Sequence, residues 1–323
     1  MGLFRARAGT DDSRALRWGV GGVASLTIAV VAGIAVIMVS ESWLSIRKFG
    51  LAFWRTTTWD PVAGEFGALP FLWGTLFSSF LALLLATPVA LGIAVFLSEL
   101  SPFRWRRPLI FLTELLAAIP SVVYGMWGIF VLVPFVRKLQ MLTPSWLAKT
   151  PFFKGPPLGI GMLAASLILA VMVIPYSASV AREILRSVPF SQREAAYALG
   201  ATRWEAIRMA LYYGRTGIIG AVMLGLGRAL GETIAVTMVI GNNPQISLSL
   251  YTPQYTMAAV IANEFTEAAG DLYLNALVEI GLVLLIVTVF INALSRILIW
   301  RMSRTRTVKA PASAPAAAAP AGA

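Results

Sequence analysis

Residues 66–98 contain no acidic or basic side chain. A run of that length has one stable home: an α-helix that satisfies its own backbone inside a bilayer. The hydrocarbon core is about 30 Å thick and takes roughly 20 helical residues to cross. The pattern recurs along the chain. Residues 18–40 and 155–181 are also uncharged. Residues 109–136 carry only Glu114, residues 216–241 carry Arg228 and Glu232, and residues 272–295 carry only Glu279. Nothing alternates apolar and polar at every second position, which excludes a membrane β-barrel. The expected fold is therefore all-α: a polytopic membrane protein with six transmembrane helices. Composition agrees, with 58% hydrophobic and 13% charged residues, against about 25% charged in a soluble domain.

The net charge of +11 would suggest nucleic acid as a partner in a soluble protein. In a membrane chain it reports basic cytoplasmic loops facing a lipid surface, and no nucleic-acid partner is expected. With both termini inside, the cytoplasmic side holds eighteen Lys and Arg and the outside holds seven, Arg47, Lys48, Arg55, Arg137, Lys138, Lys149 and Lys154. That asymmetry predicts a multi-pass protein of the plasma (inner) membrane with both ends cytoplasmic. The first apolar run is longer than a signal-peptide core and no small-residue cleavage site follows it cleanly, so it reads as a retained helix. The expected organisation is a cytoplasmic tail over 1–17, a first transmembrane helix over 18–46 and an external loop over 47–69. A helical membrane domain follows over 70–302, with a cytoplasmic loop over 185–213. The Ala/Pro-rich tail, 303–323, is expected to be disordered because it has nothing with which to build a core.

Cysteine and histidine are both absent. Thiol chemistry, His-based metal sites, Ser-His triads and H-E-x-x-H proteolysis are excluded with them. The four aspartates, Asp11, Asp12, Asp60 and Asp271, lie outside the expected spans, which excludes an intramembrane aspartyl pair. Lys149 is the only lysine followed by Ser or Thr, and Ala148 precedes it, so the chain lacks a P-loop. Gly225, Gly227 and Gly231 do not make a dinucleotide fingerprint either, because Leu230 stands where the third glycine belongs. They read instead as a small-residue face for another helix.

The cytoplasmic loop has its own punctuation. Ser191 precedes Glu194 by three residues and Thr202 precedes Glu205 by three, the spacing of two capping boxes. Gly200 between them can end a helix with positive φ. The spacing predicts a short helix over 192–199, a sharp turn and a second helix from Arg203. Two readings follow: a pair of amphipathic helices on the membrane surface, or a docking element whose small Ala195 and Ala196 admit another protein closely.

The string Glu194-Ala195-Ala196 with Gly200 resembles the EAA loop of ABC importer permeases. Two further blocks, Glu114 to Gly125 and Gly225 to Asn243, resemble the phosphate-specific permeases of that class, the PstC type. The resemblance covers most of the chain and implies a type I importer permease architecture. It implies that Glu194, Ala195, Ala196 and Gly200 contact a separate cytoplasmic ATPase dimer (PstB-like), which would bind the ATP and Mg that this chain is not expected to hold. The other implied partners are a second permease (PstA-like) and an external phosphate-binding protein (PstS-like). In the family the loop closes with a hydrophobic residue and Leu-Pro, whereas Ala210-Leu211-Tyr212-Tyr213 stands here.

Arg228 stands out on physics alone. A cation at the centre of a membrane helix costs at least about 2.5–3.5 kcal/mol. Glu232 is four residues on, which on an unbroken helix puts both on one face. The pair reads either as a structural ion pair or as an anion-handling site, since the guanidinium is a planar fork of donors suited to oxyanions. Resemblance favours the second reading, with phosphate passing Arg228 and Glu232. Pro120 interrupts the third span and frees a backbone carbonyl, so Ser121 is either pathway lining or part of a bare kink. Glu114 is a further candidate for the pathway. The alternatives in substrate and mechanism are another oxyanion, molybdate or sulfate, and an ion-coupled secondary transporter using Glu114, Glu232 and Glu279. The inverted repeats with broken helices expected of the latter are not visible in the sequence.

Overall fold

A computed structural model describes residues 10–304, with side chains from 16 to 302. Most of both expected tails, residues 1–9 and 305–323, lies outside the described residues. Thirteen α-helices follow in order. They are α1 (Thr10–Glu41), α2 (Trp43–Phe49), α3 (Leu69–Val95), α4 (Phe103–Ala118), α5 (Ser121–Trp127), α6 (Val133–Met141) and α7 (Ser145–Ala148). Then come α8 (Met162–Ser187), α9 (Phe190–Ala198), α10 (Arg203–Leu230), α11 (Ile234–Ile240), α12 (Met257–Glu264) and α13 (Asp271–Arg304). π turns at Phe96–Leu100 and Gly128–Leu132 extend α3 and join α5 to α6. No strand occurs among the described residues beyond two isolated bridges, Asp60 with Glu65 and Gly241 with Gln254.

Among the described residues, six helical runs are long and apolar enough to cross a membrane: Leu16–Glu41, Leu69–Leu100, Ser121–Met141, Met162–Ser187, Arg203–Leu230 and Asp271–Met302. The six expected spans are all present, but two differ in kind. The third is cut at Pro120 into α4 and a second run beginning at Ser121, and the fifth is cut after Leu230. The first helix also ends earlier than the expected 46, because the chain turns at Ser42 before α2 starts.

The bundle is organised around α8. In the most apolar stretch of each span, 61% of α8 is buried against 28–33% for the other spans of the core and none for α1. The reason is legible in α3, the principal neighbour of α8. Gly74, Ser78, Ala82, Ala86, Ala90 and Ala94 recur at every fourth position and all are buried. Such a row forms one ridge along a helix and lets two backbones approach closely, which gives packing without the hydrophobic drive that lipid cannot supply. Ala82 and Ala86 meet α8 residues Ile168, Leu169 and Val173 in the central cluster. Ala94 joins Ala181 and Leu185 in a second cluster toward the C-terminal ends of α3 and α8.

A third cluster lies at the opposite end of the bundle, around the start of α3 and of α13. Phe53, Phe66 and Phe71 pack there with Tyr255, Met257 and the α13 residues Leu277 and Ile280. Trp59 Nε1 and the Tyr273 hydroxyl both donate to Glu264 Oε2, at 2.8 and 2.6 Å. The external segment before α3 is thus pinned to the bundle by an aromatic wedge.

Candidate functional site

Two helix breaks stand side by side. Pro120 cannot continue α4, and Ile119 before it is extended, with φ −65° and ψ 129°. The Leu116 carbonyl left near this break accepts a hydrogen bond from the Tyr124 hydroxyl at 2.8 Å. The second break spans Gly231, Glu232 and Thr233, after which α11 begins. The segments that follow the breaks, α5 and α11, pack against each other. Gly125 makes that possible: a Cβ there would sit 2.3 Å from Met238 Sδ and 3.2 Å from the Ala235 Cα.

Arg228 lies in the last turn of α10, immediately before the second break. It is exposed in the chain and within electrostatic reach of the Tyr124 hydroxyl. The expected geometry of the Arg228–Glu232 pair is corrected here. The helix ends at Leu230, so the i,i+4 relation does not hold, and the two side chains form no ion pair among the described residues. Glu232 instead turns toward the start of α11, where its Oε1 accepts from the Ala235 N–H at 3.5 Å. The guanidinium is left with no hydrogen bond or ion pair among the described residues, and its donor fork is open.

Ser121 is half-buried at the first position of α5, on the rim of the first break. Glu114 is not paired with Arg228 or Glu232. It lies 3.5 Å from Arg182 Nη2, which also meets Glu183 at 2.7 Å. Arg182 is buried and Glu114 is exposed, so this carboxylate compensates a buried cation between α4 and α8. Tyr124 was not legible as a member of the site. A tyrosine four residues past a proline in a membrane span is the signal that points to it, since its hydroxyl needs a partner.

The turn at Gly200 forms as expected, with one change. α9 starts at Phe190, preceded by Pro189, and Ser191 makes no cap. Proline at the preceding position sets the entry instead, leaving Ser191 inside the first turn. At the other end Gly200 has φ +81°. The Ala201 N–H bonds the Ala196 carbonyl at 3.1 Å and the Gly200 N–H bonds the Tyr197 carbonyl at 2.9 Å. These are the two hydrogen bonds of a Schellman motif. The second capping box is complete: the Thr202 N–H donates to Glu205 Oε2 at 2.7 Å and the Glu205 N–H to Thr202 Oγ1 at 3.4 Å. Of the four candidate docking residues, Glu194, Ala195 and Gly200 are exposed, whereas Ala196 is buried against its own chain. Phe190 and Tyr197 share the outer face with Glu194 at helical spacing and are 70% and 51% exposed. These rings lie on the same exposed face as the candidate docking residue Glu194.

A membrane bundle with paired breaks and a capped cytoplasmic turn is matched by a family model for the binding-protein-dependent transport system inner membrane component, over residues 86–304. The chain belongs to this family. Its relatives within the binding-protein-dependent permeases include the phosphate transport system permease protein PstC of Mesorhizobium japonicum, 46% identical over 86% of this chain and 87% of that one. PstC of Haemophilus influenzae is 46% identical over 88% and 91%. The probable PstC of Methanocaldococcus jannaschii is 34% identical over 77% and 81%. Among solved permease structures, an inward-facing conformation of the MetNI methionine ABC transporter aligns with a TM-score of 0.54. It covers 71% of this chain and 93% of that one at 18% identity, which establishes a shared fold.

Proposed function

We propose that this permease carries inorganic phosphate across the plasma (inner) membrane as one subunit of an ATP-driven importer. The observation that carries the reading is the open guanidinium of Arg228 beside two adjacent helix breaks, in a chain 46% identical to phosphate permeases. A planar fork of donors with a permanent charge matches phosphate oxygens bidentately. Glu232, Ser121 and the Tyr124 hydroxyl border the same breaks and line the pathway with it. Glu232 repels the anion and so limits how tightly it is held.

The chain has no P-loop, and ATP with its Mg is bound by a cytoplasmic ATPase dimer seated on the outer face of α9, at Glu194, Ala195 and the Gly200 turn. A second permease closes the pathway, and an external phosphate-binding protein delivers substrate. Both termini of the chain are cytoplasmic. Binding of the loaded delivery protein and of ATP each favours a different arrangement of the bundle, and that difference in affinity drives transport.

The test is uptake into vesicles holding this chain with its partners and ATP, using labelled phosphate, sulfate and molybdate in parallel. Phosphate uptake alone supports the reading. Preferential uptake of sulfate or molybdate changes the substrate, and uptake by this chain alone on an ion gradient overturns the ATP-driven mechanism.

A further inference from the structure

The π turn Phe96–Leu100 at the inner end of α3 gathers three arginines from three different elements. Arg106 of α4 donates to the Ser98 carbonyl at 2.9 Å. Arg203, the first residue of α10, donates to the Glu99 carbonyl at 2.8 Å. Arg193 of α9 meets the Glu99 carboxylate at 2.6 Å, with the two side chains only 14% and 15% exposed. The same guanidinium donates to the Leu185 and Val188 carbonyls at the end of α8, each at 2.9 Å.

The connections of α9 make this arrangement consequential. One end is joined to α8 through Val188 and Pro189, and the other turns on Gly200 with φ +81°. Both are short joints about which a nine-residue helix can tilt. Among the described residues, Ala196 packs α9 against its own chain, and Arg193 supplies the side-chain hydrogen bonds and ion pair from the middle of α9 to the end of α8 and to the Glu99 carboxylate that follows α3. A shielded, charge-assisted contact of this kind resists tilting better than exposed pairs do.

We infer that the Glu99–Arg193 pair is the strut through which displacement of α9 reaches the spans α3 and α8, making both residues positioning residues for transport. The inference rests on the docking of an ATPase at α9 proposed above. It explains why a carboxylate and a guanidinium outside the docking face are kept shielded together.

The experiment uses the assembled transporter in vesicles. The double variant Glu99→Gln with Arg193→Gln removes the strut without leaving a lone buried charge. Assembly and basal ATP hydrolysis are expected to stay at wild-type level. Stimulation of hydrolysis by the loaded binding protein, and uptake, are expected to fall at least about fivefold. The chain has no cysteine, so Glu99→Cys with Arg193→Cys can be bridged by a short bis-methanethiosulfonate cross-linker, each thiolate displacing one methanesulfinate as its disulfide forms. Bridging is expected to restore coupling that the unbridged form lacks. Normal stimulation in the double Gln variant, or no recovery on bridging, overturns the strut. If these variants do not assemble, spin labels at Ser191→Cys and Leu100→Cys report on the native pair. A constant separation with and without an ATP analogue supports a rigid strut, and a changed one overturns it. Failure of the wild-type complex to take up phosphate counts against the transport reading instead, leaving the label distances to judge the strut.

Discussion

Arg228 and Gly125 flank the paired helix breaks and constrain substitution in opposite ways. The open fork of Arg228 can make charge-assisted hydrogen bonds worth about 1.5–3 kcal/mol. Arg228→Gln is therefore expected to lower phosphate uptake by about 10- to 100-fold. Assembly should be unaffected, because no ion pair or hydrogen bond among the described residues depends on this side chain. Labelled uptake measured alongside co-purification of the partners checks both halves, and uptake at wild-type level removes Arg228 from the pathway. Gly125 matters for the opposite reason, as the absence of a side chain. Its Cβ would press on Met238 Sδ and the Ala235 backbone, so Gly125→Ala is expected to cost about 1–3 kcal/mol by overpacking. Because the nearest atom belongs to a flexible side chain, Met238→Ala should recover part of that loss. Thermal unfolding of the purified single and double variants tests the pair, and additive losses would contradict the contact.

At the level of elements, the cytoplasmic turn is set by backbone geometry. A Cβ at Gly200 meets nothing within 4 Å, so the objection to a side chain there is conformational. Left-handed backbone costs an ordinary residue about 1–2 kcal/mol, more when it is β-branched. Gly200→Val is expected to re-aim α9 and reduce ATPase co-purification, while Gly200→Asn, which tolerates positive φ, retains most of it. Equal recovery of the ATPase with both variants and the wild type would remove the turn from docking. Thr202→Ala removes one side of the capping box and is expected to destabilise the start of α10 by about 1 kcal/mol. Amide hydrogen exchange at residues 203–206 reads this directly, and unchanged protection would show that the cap is redundant.

Across the whole molecule, the arrangement separates the machinery by membrane depth. The aromatic wedge on Glu264 lies at one end of the bundle, the paired breaks sit within it, and the arginine-bound π turn and α9 lie at the other end. On the function proposed above, transport depends on the ATPase that the proposal places at α9. Vesicles containing every partner except the ATPase should show no phosphate uptake above background under a proton or sodium gradient.

The number of membrane helices was readable from the sequence because bilayer thickness fixes the length of a charge-free run. The Gly200 turn and the Thr202–Glu205 cap were readable because their interactions lie within a few residues. The period-four row from Gly74 to Ala94 was equally available, hidden only by looking for charge in place of size. The breaks at Pro120 and after Leu230 were harder. Proline announces the first, whereas the second falls at Gly231, the C-cap of α10, a lone glycine in an apolar run that is a weak stop by itself, and beyond it α11 packs on α5. That packing separated Glu232 from Arg228, and contacts across the fold gave Glu114 to Arg182 and Glu99 to Arg193. Long-range ion pairs carry no spacing signature in a sequence, because their partners meet only once the helices have chosen their neighbours.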